Sequence, residues 1–433
     1  MRLGDLVRVK HGWPFKSESF SEALSGKPIV VAVGNFRYTG GFRFDVTPTK
    51  EYLAEYPREY ELSPGDILLV MTCQTPGGEI LGVPARIPDD GRVYLHNQRL
   101  GRVVIERPDI TDSGFLYQVF LSREFNQELF ATSSGTKILH TAPSRIEAFR
   151  FKLPSLPEQE AIAAVLTALD GKIELNRSLS RTLESTCAAL FKSWFVDFDP
   201  VIAKAEGKRP PRMTEEFARL FPSSLVDVGP MRVPQGWDVE PLDSIARYQN
   251  GLALQKHRPS PGGPRLPVIK IAQLRAGGPG EDEWASCDIN PKCVLDDGDV
   301  VFSWSGSLLV TIWCGGKGAL NQHLFKVTSE RFPKWFYHQW TLVHLPEFQA
   351  IAADKATTMG HIRRYHLTDA LCCVPPPNVI ELADELLSPC MNRIVATRLE
   401  SRTLEALRGL LLPKLLSGEV TVRDAERVVE EAV

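Results

Sequence analysis

Few stretches of this sequence hold residues that could make or break a covalent bond. "WCGGKGA" (Trp313–Ala319) has the glycines and lysine of a phosphate-binding loop. Thr311, however, stands where the first glycine of GxxxxGK[ST] belongs, and Gly318 replaces the hydroxyl that follows the lysine. The polar-Pro-Pro-aromatic tetrapeptide of an amino-methyltransferase is absent; "FDPV" and "INPK" do not supply it. No carboxylate precedes an ExK in the nuclease manner. His361 and His366 lie near Arg363 and Arg364 with no nucleophile pattern around them, and the nine histidines do not cluster. The eight cysteines form no CxxC pair and keep no zinc-finger spacing from histidine, so no metal site is expected. They read as buried, reduced thiols of a cytoplasmic protein.

What the polar residues offer is recognition. Arg247 to Arg275 contains six Lys or Arg and no acid. "KATTMGHIRRYH" (Lys355–His366) has three basic residues, two histidines and no acid, and "SSGTKILHTAPSR" (Ser133–Arg145) is also acid-free. Arg8, Lys10 and Lys16 flank "HGWPFKS". Cations beside glycines can approach phosphates, while Asn, Gln, Ser and Arg can read base edges. The candidate DNA contacts in the first half of the chain are Lys10, Trp13, Lys16, Ser17, Thr72, Gln74, Asn97 and Lys137. Those in the second half are Gln249, Asn250, Gln255, Lys256, Arg258, Ser303, Ser305, Gln322, Thr358, His361, Arg363 and Arg364. Any one such loop could be merely solvated; comparable loops in both halves argue for more.

The elements that carry these loops are written twice. "SRTLE" occurs at Ser180–Glu184 and again at Ser401–Glu405, and Leu166, Ile173, Arg177 and Leu190 recur at the same offset as Leu387, Ile394, Arg398 and Leu411. Upstream, "LSPGDILLV" is echoed by "LDDGDVVFS", and "LHNQRL" by "ALNQHL". A duplicated unit of about 220 residues explains three anchors recurring in one order. Each copy opens with short β-branched and aromatic runs punctuated by Gly, Pro and Asp, then helical patches: a mixed α/β globule. A long helix follows. In the first copy "SLPE" offers Ser155 as N-cap with Glu158 three residues on. Apolar residues then step by three or four from Ile162 to Leu190, broken by Asn176 and Ser180, and the second copy repeats those breaks as Thr397 and Ser401. Pro389 is expected to kink the second helix or delay its start, and Arg408 departs from its seam. From Pro157 to Phe195 the first helix would measure about 58 Å.

The expected fold is α+β: a tandem duplication of globule plus helix, the two helices packing as an antiparallel coiled-coil spacer with pseudo-two-fold symmetry. The expected boundaries are 1–155 for the first recognition domain, 156–199 for its helix, 200–235 for a linker, 236–377 for the second domain, 378–418 for the second helix and 419–433 for a tail. The 433 residues carry a net charge of −3 and 43% hydrophobic residues. No run of 18 apolar residues could span a bilayer, and charges interrupt the apolar pattern of "MRLGDLVRVKHGW", against a signal peptide.

The segment "LPSLPEQEAIAAVLTALDGKIELNRSLSRTLESTCAALFKSWFVDFDPVIAKAEG" resembles the central conserved region of specificity subunits of type I restriction–modification systems, and "LLLPKLLSGEV" resembles their C-terminal conserved region. The resemblance implies two target-recognition domains, one per half-site of a double-stranded DNA target, and two helical spacers that fix the gap. It implies a non-catalytic chain with no cofactor of its own. Two methylation subunits would carry S-adenosylmethionine, and motor-nuclease subunits would use ATP and Mg. It also gives a role to the aromatics at the first helix's exit. Phe191, Trp194, Phe195 and Phe198, rimmed by Lys192, Asp197 and Asp199, match the segment that engages methylation subunits; the competing reading is local core. The second copy has Leu412, Leu415 and Leu416 there. Two other classes stay open on the residues: a nuclease or methyltransferase acting alone, and a dimerising scaffold that ignores DNA.

Overall fold

The computed structural model describes residues 1–22, 25–44, 49–75, 77–210, 213–280, 282–354 and 360–432; of the candidate sites, Thr358 lies outside them. The chain forms two compact units, Met1–Lys172 with Leu404–Val433, and Ile173–Thr403. Both cuts fall inside long helices, α1 (Leu156–Phe191) and α2 (Pro377–Ser417), so each unit owns one end of each helix.

In the first unit, an antiparallel sheet runs in the order Val7–His11, Leu100–Ile105, Ile67–Val70, Pro84–Arg86. "ILLV" is buried at every position, as a central strand requires, whereas Val7–His11 buries Val7 and Val9 and exposes Arg8 and Lys10. Pro84, which has no N–H to donate, sits on the edge strand. A second sheet of five short strands includes one parallel pair, Ile29–Val30 beside Tyr94–Leu95. The helices Ser113–Phe120 and Arg123–Ala131 start at the side chains of Asp112 and Ser122, which accept from the Phe115 and Phe125 amides. Gln159, fully buried on the first turn of α1, bonds the Asp112 amide and the carbonyls of Ile110 and Pro154.

The second unit repeats the plan. Its antiparallel sheet runs Arg247–Asn250, Leu324–Thr328, Val300–Ser303, Leu309–Ile312, and its second sheet again holds one parallel pair, Val268 opposite Ala319. The duplication in the sequence is thus a duplication of topology.

Within the second unit α1 and α2 pack antiparallel. Asn176 donates to Glu400 at 2.9 Å, Ser180 and Thr397 share a hydrogen bond of 2.8 Å, and Glu184 pairs with Arg398. The four polar breaks of the seam are all buried. Their cost is limited because α2 helps satisfy its own hydroxyls: Thr397 donates to Arg393 O and Ser401 to Thr397 O. Arg408, the seam's odd member, lies in the first unit, where it pairs with Asp170 at 2.5 Å and donates to Gln118. The expected delay of the second helix's start at Pro389 is corrected. α2 begins at Pro377 and runs through Pro389, whose ring faces solvent while buried Ala383, Leu387 and Met391 hold the turns around it.

The expected docking role of the aromatic exit is corrected too. Phe191, Trp194, Phe195 and Phe198 are 0, 3, 0 and 7% exposed and belong to the core of the second unit. After α1 the chain winds one π-helical turn, Lys192–Val196. It then reverses at Phe198, the one non-glycine among the described residues with a left-handed backbone, φ 57°. That conformation costs about 1–2 kcal/mol, which the burial of its ring against Trp237 offsets. Trp194 meets Phe217 edge-on at 4.9 Å, Phe195 lies between Trp237 and Trp335, and Phe191 meets Trp340. The rings of an interface anchor must be free before the partner arrives; these are already spent inside the chain. Nor is 200–235 an open linker. Its helices Asp199–Ala205 and Glu215–Leu220 and its hairpin Leu225–Val228/Met231–Pro234 deliver Phe217, Phe221 and Val233 to this core. The segment read as a tail folds as helix α3 (Val422–Ala432), with Ala425 buried.

Phe195→Ala should therefore destabilise the protein by about 3–5 kcal/mol, the cost of an emptied aromatic site. Denaturant unfolding measures it; an unchanged midpoint with lost assembly would restore the docking role. An acid-sensitive contact is also visible. Arg331 donates twice to Glu240, at 2.8 Å each, and this hydrogen bonding holds the Glu240 carboxyl below its ordinary range. A depressed carboxyl stabilises the fold above its unfolded pKa and loses that contribution as pH falls through its folded one. Glu240→Gln should lower the melting temperature at neutral pH, and the gap to wild type should close as pH drops below about 4.5. A gap that does not narrow as the pH falls below that value would contradict this.

Candidate nucleic-acid interface

In the first unit a glycine brings two loops together. A Cβ on Gly12 would fall 2.3 Å from the Asn97 carbonyl, so no other residue fits without moving the backbone. The contact is sealed by Trp13 N–H to His96 O (2.8 Å) and Gln98 N–H to Trp13 O (3.1 Å). Asn97 Oδ1 accepts the Arg99 amide and closes a tight side-chain turn. Met71 N–H then bonds Arg99 O, Thr141 N–H bonds Met71 O, and the Thr72 hydroxyl lies 3.2 Å from His140 Nδ1. Four segments, around residues 12, 72, 98 and 140, so meet at one end of the sheet.

The second unit builds the same frame. A Cβ on Gly251 would fall 2.2 Å from Asn321 O. Leu252 N–H bonds Leu320 O, Gln322 N–H bonds Leu252 O, and Asn321 Oδ1 accepts the His323 amide. Trp304 N–H bonds His323 O, and Ile362 N–H bonds Trp304 O. Residues around 251, 305, 322 and 361 correspond one for one to those of the first unit.

The frame gathers many of the candidate residues but not all in the roles expected. Lys10, Lys16, Ser17, Gln74, Lys137, Gln255, Lys256, Arg258, Arg363 and Arg364 are exposed. Arg364 is partly committed, donating to Tyr248 O and lying over the Phe325 ring. Asn97, Gln249, Asn250, Gln322 and His361 are half-buried at the frame, and Trp13 is half-buried in a ring cluster with Phe15 and Tyr60. Ser303 is corrected: it is fully buried, and its hydroxyl donates to Ser305 O and Ser307 O, shaping the turn out of reach of any ligand. Thr72 and Ser305 are buried as well. Their hydroxyls hold the rings of His140 and His323, so they position neighbouring side chains rather than face solvent. His96 lies behind the turn; burial pushes its pKa down to about 4 and its Nε2 sits 2.9 Å from Leu100 O, so the ring is neutral and structural.

Two residues of the frame escaped the sequence reading, Arg99 and His323. They occupy one slot in "NQRL" and "NQHL". Arg99 is exposed, whereas His323 is held by Ser305 at 2.9 Å and Gln322 at 3.3 Å. The signal was available: a residue that changes inside a repeated motif is a site where the copies are allowed to differ. Among the described residues no group of three or more His, Cys, Asp or Glu could hold a metal ion, and no helix is long and apolar enough to cross a membrane.

Comparison with known proteins agrees with this geometry. Residues 1–185 match the family model of the type I restriction modification DNA specificity domain. The chain is 25% identical over 321 residues to the MjaIX specificity subunit of Methanocaldococcus jannaschii, covering 72% of this chain and 70% of that one. It is 22% identical over 398 residues to the HindI specificity subunit of Haemophilus influenzae, covering 79% and 86%. The fold is shared with the crystal structure of a type I S subunit from M. genitalium, TM-score 0.57 at 14% identity over 96% of this chain and 95% of that one. With the specificity-domain model matched at its start, these relatives along most of its length and one frame built twice, the chain is similar to the DNA sequence-specificity subunits of type I restriction–modification systems.

Proposed function

We propose that the chain reads a bipartite duplex target, one half-site per unit, and does no chemistry itself. α1 and α2 set the gap. Two methylation subunits bring S-adenosylmethionine, and motor-nuclease subunits bring ATP and Mg. The observation that carries this reading is the repeated frame with a changed reader: Arg99 against His323 in the same slot of the same backbone. A free arginine can grip guanine O6 and N7 with two hydrogen bonds, and a tethered imidazole cannot. Two frames that differ at one reading position suit two different half-sites. The exposed cations around both frames, Lys10 and Lys16 in one, Lys256 and Arg258 in the other, suit the phosphates.

Replacing residues 1–155 with the corresponding globule of a relative should change one half of the methylated target and leave the other intact, read by mapping methylated bases in cells. Change in both halves would sink the modular reading. Binding of the chain to its target should weaken steeply between low and high salt, since phosphate contacts release counterions; a flat salt response would favour a scaffold. Methylation or cleavage by the purified chain alone would favour an enzyme.

Inserting four residues near Leu175 adds about 6 Å of helix rise. The gap between half-sites should then lengthen by about one or two base pairs, at about 3.4 Å each. An active insertion variant that keeps the original gap would show that the helices are not the ruler.

A further inference from the structure

The first unit holds a cavity of about 680 Å³ that opens beside its reading frame. Thr72, Gln74, Asn97 and Arg99 belong to both the frame and the cavity wall. Rings of Phe15, Phe20, Phe36 and Tyr38 line it, together with the cations Arg43, Lys50 and Arg99, and no carboxylate is among the described lining residues. One of the cations, Lys50, has a partner nearby, Glu22 at 3.3 Å. Aromatic faces, amide edges and a rim of cations are what a nucleobase with its phosphate needs: π-surfaces to stack on, donors and acceptors to read its edge, and charge to hold its backbone.

The fold does not dictate these rings. Behind the cavity a small cluster of Val30, Tyr52 and Leu95 is flanked by Trp13, Phe15, Phe20 and Tyr56. The second unit builds the matching place, around its own parallel strand pair, from Leu254, Val268, Ala285 and Ala319, with Leu252, Leu266 and Ile289 beside them. An aliphatic cluster suffices for the topology, so the aromatic set in the first unit answers another demand. Tyr38 makes the point most directly: it lines the cavity and yet is 53% exposed, a ring with a face left for a ligand.

We propose that this cavity receives one base swung out of the DNA duplex in the half-site read by the first unit. The inference rests on the DNA-specificity reading above and deepens it. A volume in the middle of the range for small-ligand sites gives room for a base and its sugar. A base that leaves the stack must give up its pairing partner. Weakening that pair in advance therefore favours the extruded state, and this effect is specific to the position extruded.

The test uses the full chain without any methylation subunit, so that no other protein can hold the base. The probes are a duplex carrying the mapped target, a set of duplexes with one mismatch at each position of the half-site in turn, and a scrambled duplex. Affinities are measured for wild type, Tyr38→Ala and Tyr38→Phe, each checked for an unchanged melting temperature. At one position the mismatch should tighten binding several-fold for wild type and for Tyr38→Phe, which keeps the ring. The gain should vanish for Tyr38→Ala. If matched target binds better than scrambled DNA but no mismatch tightens it, or the gain survives in Tyr38→Ala, the cavity takes no base and the specificity reading stands. If the matched target binds no better than scrambled DNA, the specificity reading itself fails and the inference falls with it.

Discussion

The contact on which the recognition surface depends is a backbone approach too close for any side chain. Gly12 meets the Asn97 carbonyl in one unit and Gly251 meets the Asn321 carbonyl in the other. Everything around it follows from satisfying the main chain once the two segments touch. The amides of Trp13 and Leu252 find carbonyls across the approach, the Asn side chains turn inward to take the amide two residues on, and the next strand is pinned through Met71 or Trp304. Polar main-chain groups brought this near to one another without partners would each cost a desolvation penalty of about 1–3 kcal/mol. The main chain of the frame is thus held in place by these hydrogen bonds. A frame so held lets the few side chains that project from it be exchanged without disturbing the fold.

That separation of frame from readers explains why the two units can share so little sequence and yet one geometry. Thr72 and Ser305 are buried hydroxyls with the same task, holding an imidazole, but the imidazole comes from a different segment in each: His140 from the loop at residue 140, His323 from the Asn turn itself. The second unit so spends its variable slot on an internal hydrogen bond, and the first leaves Arg99 outside. The same frame supports an aromatic wall in one unit and an aliphatic one in the other. Specificity is placed in what the frame does not need.

Much of this was legible in the sequence, and the reason is the duplication. Two copies act as a comparison of the chain with itself: "SRTLE" fixed the helix pair, and the polar breaks at Asn176, Ser180, Thr397 and Ser401 marked a seam whose buried hydroxyls do meet. The "NQ" motifs located the frame. What stayed hidden depends on contacts between residues far apart in the chain. Ser303 and Thr72 look like readers by type, and only the strand pairing around them shows that their hydroxyls point inward. Pro389 looks like a helix breaker, and its tolerance depends on which side of α2 faces solvent. Asn97 was visible as a candidate contact, but the importance of Arg99 two residues on required knowing that one side chain in the motif is tethered and its counterpart is exposed.

The aromatic exit of α1 shows the same limit from the other side. Lys192, Asp197 and Asp199 around four rings have the composition of an interface, apolar within and charged at the rim. A core that reaches the surface has that composition too. What separates the two is whether the rings find partners within the chain, and here those partners come from residues 217, 237, 335, 336 and 340, far along the sequence. The polar groups bond one another on the outer side of the turn, Lys192 pairing with Asp197 and the Ser193 hydroxyl donating to Asp199. The rings point the other way, into the second unit. The left-handed backbone at Phe198 is the price of turning the chain sharply enough to bring Phe217 and Trp237 back onto Trp194 and Phe195. The end of α1 is in this way anchored to the body of the second unit by aromatic packing. For a helix that is to hold a recognition frame at a fixed place, that anchoring is a more demanding task than offering a surface to a partner.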